Sequence, residues 1–302
     1  MPSLPSPARA LQQAYNTWCA VPDMTLCIGA LAKIPSPLTS CIVLCFDCKV
    51  SNDVWGSEGE YKFHVLSDEL VALAAGSAGK AKELALMYKG YLRHVSLSLP
   101  HAVRQLSKPL NDFKRQKADS YVKSTLAVSY TEFLAKGKQW FGEEEFDQRI
   151  AAIEKHQPKV EMILAGFIEG EPVLYRITRD GAGPLELEQV TNFCMIGSGT
   201  YVAEPTLHGR CQDFKTALSQ TMYNVYEAKK TGEISPYVGQ KTIMHILLPP
   251  KRGAKQIQGR HLTPAGEKFL QKLYRKYGPR VMKSWPDLPD GVLEPALFKW
   301  PV

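Results

Sequence analysis

The sequence predicts an α+β fold of stacked layers rather than a doubly wound parallel sheet. Three observations carry this. Short apolar runs bounded by Pro, Gly or charged residues recur early and late in the chain, as strands buried on two faces do. Other stretches place apolar residues at helical spacing. The order is strands, two helices, strands, helix, strand, which groups elements of one kind instead of alternating them strictly.

Residues 1–23, with three prolines before Ala8 and another at Pro22, read as a leader: a pro-segment or a stretch ahead of the true start. A strand is expected at Leu26–Leu31, then the connection IPSPLTS, then a strand at Cys41–Phe46. Tyr61–Leu66 and Leu70–Ala75 give two more strands around the turn Ser67-Asp68-Glu69. Ala78–Val95 sets Leu84, Leu86, Tyr88 and Leu92 among Lys and Glu as a helix, and Pro100 opens a second helical stretch. Residues 128–158 read as an insertion with an amphipathic helix near Glu144–His156. Strands resume at 160–167 and 172–178, followed by the turn Arg179-Asp180-Gly181. A further strand, 192–199, ends in the turn of IGSG. A long helix over Asp213–Lys230 and a strand over Thr242–Leu248 complete a domain at 24–250, closed by Pro249-Pro250. The extension 251–302 holds one helix, with Thr263 as N-cap, Pro264 at its first position and an end near Gly278.

Composition narrows the class. Hydrophobic content of 44% and charged content of 22% are those of a globular protein with material for a core. No run approaches about 18 apolar residues, and the first 23 residues lack the apolar segment of a secretory signal, so no membrane span is expected. Seven cysteines, several inside apolar runs, suit buried thiols in a reducing compartment, and the protein reads as cytoplasmic. The formal charge of +7 is uneven. Residues 251–302 carry 11 Lys/Arg against 4 acids, while the rest holds 26 of each. A neutral body does not support nucleic-acid binding by the whole domain. The basic extension either docks a partner or neighbouring subunit, or is a solvated helix packed on the surface, and the second is favoured.

Three polar residues interrupt apolar runs: Asp47 after CIVLCF, Lys62 in EYKFHVL, and Ser198 in IGSG. A buried charge needs a partner, and Asp47 with Lys62 could satisfy one another. On spacing alone this reads first as a plain buried ion pair. Cys45-x-x-Cys48 lies within a strand with its members on opposite faces and no second pair at ligand spacing, so core thiols are expected. No two histidines stand at i, i+4, and neither IGSG nor GSAGK has phosphate-loop spacing. No metal, nucleotide or other cofactor is expected.

Taken together, MTLCIGA, FDCKV, EYKFHVL and AAGSAGKAKEL resemble the first half of a proteasome β-type subunit and, equally, of the bacterial ATP-dependent threonine peptidase related to it (HslV-like). ILAGF with VLYRITRDG resembles that family's central hairpin, and CMIGSGTYVAE its Gly-Ser-Gly turn, over roughly residues 24 to 248. The resemblance implies a four-layer αββα sandwich of N-terminal-nucleophile (Ntn) hydrolase type. It places the nucleophile at Thr25, the supporting aspartate and lysine at Asp47 and Lys62, and the oxyanion donor at Gly76 N–H. Ser198 and Thr200 take the turn's hydroxyl positions. Lys49, His64, Ala74 and Ala78 fall on substrate-binding positions, although His64 reads equally as a partly buried sheet histidine.

The implied chemistry suits these residue types. A threonine hydroxyl needs a base, and a free α-amine with a pKa near ~8 can act from the same residue. The ammonium of Lys62 would lower the pKa of both hydroxyl and amine. Where the family has Asp-x-x-Ser-Gly-Gly, this chain has Ser235 and Val238, with Glu233 the nearest acid. The leading expectation is therefore a threonine peptidase in a homo-oligomeric ring, acting on peptide or unfolded-protein substrates with an ATP-dependent unfoldase or a loosely gated pore. Two alternatives stay open: a non-catalytic proteasome-like scaffold or binding ring, and an Ntn amidohydrolase for a small amide. All depend on whether Thr25 becomes a terminus, by cleavage or by a start at Met24.

Overall fold

The computed structural model describes residues 25–34, 39–47, 49–51, 56–58, 62–156, 158–179, 184–235, 238–251, 253–254, 256–278 and 287–296. The chain enters through β1 (Cys27–Ile34) and β2 (Thr39–Asp47), passes a small ladder of β3 (Lys49–Ser51) and β4 (Gly56–Glu58), and continues into β5 (Phe63–Val65) and β6 (Leu70–Gly76). Four helices follow: α1 (Ala78–Leu92), α2 (Ala102–Leu126), α3 (Tyr130–Phe141) and α4 (Glu143–Lys155). Next come β7 (Val160–Ile168), β8 (Glu171–Arg179), β9 (Leu185–Val190) and β10 (Phe193–Ile196), then α5 (Thr200–Gly209) and α6 (Leu218–Gly232). The chain ends in β11 (Thr242–Leu248), β12 (Gln258–Leu262), α7 (Pro264–Tyr277) and β13 (Leu293–Pro295).

Two antiparallel sheets result. One has the order β10-β1-β2-β11-β12-β13, the other β5-β6-β7-β8-β9. Side chains alternate along each strand, so each sheet offers one face to the other sheet and one to helices. Ile42, Leu44, Val71, Leu73, Ile163 and Leu174 fill the layer between the sheets. Leu84 and Tyr88 of α1 and Phe113 of α2 cover the outer face of the five-stranded sheet. Tyr223 and Tyr226 of α6 and Leu270 of α7 cover the other. This is the four-layer αββα arrangement expected from the sequence.

Several elements differ from expectation. The insertion holds two helices, not one. Ser129 caps α3 by accepting the Glu132 N–H at 3.1 Å, and α4 opens with Glu143, Glu144 and Glu145 at its positive end. Both pack on α2 through a small core of Val122, Phe133 and Phe146. The helix expected over Asp213–Lys230 begins only at Leu218. Asp213 Oδ1 accepts from Lys215 N–H at 2.9 Å and from the Thr216 hydroxyl at 3.0 Å, a local turn that competes with helix. The helix expected from Pro100 starts at Ala102 and runs through Pro109 to Leu126. Asp180 and Gly181 of the expected turn lie outside the described residues. Cys27, Cys41, Cys45 and Cys194 are buried and form no disulfide, and Cys48 lies outside the described residues.

Behind Asp47 the two sheets meet in an aromatic cluster. The His245 ring lies 5.6 Å from that of Phe46 and 4.9 Å from that of Phe63. Burial, with a smaller contribution from His261 across the β11–β12 ladder, lowers the His245 pKa from its ordinary 6.5 to about 4. The unfolded chain therefore takes up this proton first, and stability falls as pH drops from about 6.5 toward 4. The shift corresponds to about 3 kcal/mol at most. Thermal melts across that window should show this loss, and His245→Phe, whose ring suits the same cluster, should flatten it. An unchanged slope in the variant would rule His245 out as its source.

Candidate active site

β2 ends at Asp47, buried at the mouth of the inter-sheet layer, where its carboxylate meets four donors. Oδ1 accepts the Thr25 hydroxyl at 2.6 Å and Leu26 N–H at 3.2 Å, and it takes the ammonium of Lys62, itself 7% exposed. Oδ2 accepts Gly239 N–H at 2.7 Å. The sequence placed Thr25, Asp47 and Lys62 on three separate apolar runs. The fold brings them together because β1, β2 and β11 are hydrogen-bonded neighbours and Lys62 opens the strand facing them from the other sheet.

The turn of Gly197-Ser198-Gly199 closes over Thr25 from β10. Gly199 N–H donates to Thr25 O at 3.2 Å. Gly197 has φ +94°, and a Cβ there would lie 2.2 Å from Thr25 O. Only glycine fits both constraints. The Ser198 and Thr200 hydroxyls are buried with no hydrogen-bond partner among the described residues. Two such groups in one place would suit a polar visitor, since a buried hydroxyl left unmade is costly.

Gly76 ends β6 with φ +85°, paired with Val160, and a Cβ there would meet Lys159 O at 2.5 Å. Next to it Ala75 pairs with Glu161, whose carboxylate accepts Gly197 N–H at 2.6 Å. Glu161 thus ties the strand carrying Gly76 to the turn holding Thr25. Burial raises its pKa above the ordinary carboxylate value, opposed by that N–H and by Arg176.

The predicted pocket residues are placed more loosely. Ala74 is buried in the layer under α1, and its N–H donates to Lys62 O at 2.8 Å. Ala78 is exposed as the first residue of α1, and half-buried His64 pairs with Ala72. Lys49 lies on β3, and its side chain is outside the described residues. Burial pushes the Cys41, Cys45 and Cys194 thiols up to about 12 and also raises that of Cys27, so none of them is a ready nucleophile at neutral pH. Among the described residues no group of His, Cys, Asp and Glu is arranged to hold a metal, and no helix is long and apolar enough to cross a membrane.

Sequence reasoning missed Gly239, Glu161 and Lys229. Gly239 acts through its backbone N–H, which residue type does not advertise. Glu161 did leave a signal, as the one charge in the strand VEMILAGFI. Lys229, paired with Glu233, lies in a run of two lysines that reads as a solvated helix face.

Among the solved structures similar in fold are two ancestral β-subunits. "Anbu (ancestral beta-subunit)" from Yersinia bercovieri has a TM-score of 0.54 at 16% identity, over 84% of this chain and 93% of that one. An "Anbu (Gly-1) mutant" from Hyphomicrobium sp. strain MC1 has a TM-score of 0.53 at 14% identity, with the same coverage. The fold is proteasome-like. No protein-family model and no curated protein matches the sequence. These findings correct the resemblance drawn from the motifs, which pointed to proteasome β-type subunits and the bacterial ATP-dependent threonine peptidase. The neighbours are the ancestral β-subunits, a proteasome-like but distinct family. The reason is physical: the threonine, aspartate and lysine segments are short and tied to the fold's shared centre, so they do not separate its branches.

Proposed function

We propose that this chain is an N-terminal-nucleophile hydrolase that cleaves peptide bonds through Thr25. The observation that carries the reading is the convergence of the Thr25 hydroxyl and the Lys62 ammonium on one buried carboxylate oxygen, that of Asp47. With residue 25 as the terminus, its α-amine takes the hydroxyl proton while Oγ attacks the carbonyl carbon. The tetrahedral oxyanion is received by Gly76 N–H, a contribution worth about 3 kcal/mol in other hydrolases. The proton passes to the leaving amine, the peptide bond breaks, and water later hydrolyses the ester on Oγ. Lys62 supplies positive charge beside both nucleophile and amine, and Asp47 holds it there. The partnerless hydroxyls of Ser198 and Thr200 suit the α-amine or the attacking water. Half-buried His64 and exposed Ala78 would line the substrate side.

The similar protein from Yersinia bercovieri is named a subunit, and assembly of this chain with further copies of itself belongs to the same proposal. A second reading, a non-catalytic subunit, is favoured by one observation. Ser235 and Val238 occupy the helper positions, and Val238 is packed in the apolar layer with Leu26.

Intact mass and N-terminal sequencing of the mature protein, followed by labelling with a peptide β-lactone, separate the readings. The enzyme reading expects Thr25 as first residue, one adduct on it, and at least about a thousandfold loss of fluorogenic-peptide hydrolysis in Thr25→Ala. A mature chain with Thr25 internal, or equal hydrolysis by Thr25→Ala, sinks it. Hydrolysis of small amides but not peptides would redirect it to the third alternative.

A further inference from the structure

Lys229 has no part in the reaction as derived, yet it is 0% exposed on the inner side of α6. Its Nζ donates to Glu233 Oε1 at 2.6 Å and to Gly239 O at 2.6 Å. A lysine this deep is retained only where its charge is matched and its donors used. Glu233 supplies the match and is itself braced by Lys230, at 2.9 Å and 3.1 Å. The second acceptor is the informative one. Gly239 is also the residue whose N–H reaches Asp47 Oδ2 at 2.7 Å. Its N–H and its C=O belong to consecutive peptide planes, and glycine leaves the torsions between them free. Here one plane is fixed by the buried carboxylate of Asp47 and the other by the buried ammonium of Lys229. Two ion pairs, the buried Asp47 with Lys62 and the half-buried Glu233 with buried Lys229, are thus joined through one glycine.

Gly239 follows Val238, which is buried in the apolar layer that also holds Leu26. We propose that Lys229, held by Glu233, is a positioning residue. It fixes Gly239 so that its N–H orients the Asp47 carboxylate toward Thr25 and Lys62. The proposal rests on Thr25 as nucleophile, but its geometric half does not.

Lys229→Met in the full mature chain tests it with two readouts. Exchange of the Gly239 amide hydrogen is expected to speed up by about tenfold or more, the loss of one charge-assisted anchor, while amides of β6 and β7 keep wild-type protection. Acylation of Thr25 by the peptide β-lactone is expected to slow about tenfold, with the midpoint of its pH profile moved to higher pH. A merely structural lysine would lower the melting temperature without moving that midpoint. Should Lys229→Met fail to fold, Glu233→Gln keeps an acceptor for Nζ but removes its countercharge, and faster Gly239 exchange is expected there too. Wild-type exchange at Gly239 in a folded variant overturns the proposal, as does an unmoved pH midpoint. If wild-type Thr25 takes no label while Gly239 exchange still responds to Lys229→Met, the nucleophile reading fails and the clamp stands.

Discussion

Asp47→Asn is expected to lower stability by about 3–5 kcal/mol, the cost of leaving a buried charge without its partner. In a chain of this size that is a fall in melting temperature on the order of 10 °C. The carboxylate is acceptor-only and serves four donors: the Thr25 hydroxyl, Leu26 N–H, the Lys62 ammonium and Gly239 N–H. An asparagine has one acceptor oxygen and an NH₂ that donates. With its oxygen at the Oδ1 position, the NH₂ confronts Gly239 N–H; turned over, it confronts Lys62 and Thr25. No orientation satisfies all four, and Lys62 stays buried and uncompensated. The double variant Asp47→Asn/Lys62→Met should recover most of the lost stability, because removing both charges is far cheaper than removing one. It should not recover Thr25 acylation, which needs the cation. Differential scanning calorimetry and β-lactone labelling on the same preparations check both halves. A single variant melting with the wild type would show that the carboxylate is not what satisfies these donors.

The contrast between stability and reaction also explains what was legible in the sequence. Strands such as β2 and β7 announce themselves as apolar runs between breakers, because they are buried on both faces. The start of α7 was legible from Thr263-Pro264, and Thr263 Oγ1 does accept Gly266 N–H at 3.0 Å. β9 was not legible: LELEQV lies at a sheet edge with most of its side chains partly or fully exposed, so no apolar run marks it. β12 and β13 are likewise short and polar, and their place in the sheet is set by pairing, β12 with β11 and β13 with β12, not by composition. The same division holds in the candidate site. Asp47 and Lys62 stood out because a charge inside an apolar run is locally anomalous. Gly239 meets Asp47 across 192 positions through a backbone N–H, and Glu161 meets Gly197 across 36. Such partners are products of topology. The family assignment failed for a related reason, since it rested on short segments at the centre of the fold.

Gly197→Ala carries the other large effect, and it measures how tightly the turn is seated on Thr25. Two costs add at this position. The backbone has φ +94°, where an L side chain is strained by roughly 1–2 kcal/mol. The new methyl would also stand 2.2 Å from Thr25 O and 2.8 Å from Thr25 Cγ2, so either the turn or Thr25 must move. Movement would pull Gly197 N–H away from Glu161 and Gly199 N–H away from Thr25 O. A total loss of about 2–4 kcal/mol is expected, together with near-complete loss of Thr25 acylation. Gly142→Ala separates the two costs. Gly142 has φ +79°, and nothing lies within 4 Å of where its Cβ would be. That variant should lose only the backbone part, about 1–3 kcal/mol at a φ of +79° and ψ of 170°, and keep the reaction. The difference between the two, read by denaturant unfolding, is the steric pressure of the turn on Thr25. If Gly197→Ala costs no more than Gly142→Ala and Thr25 still reacts, the turn does not press on Thr25, and the geometry assigned to the nucleophile is wrong.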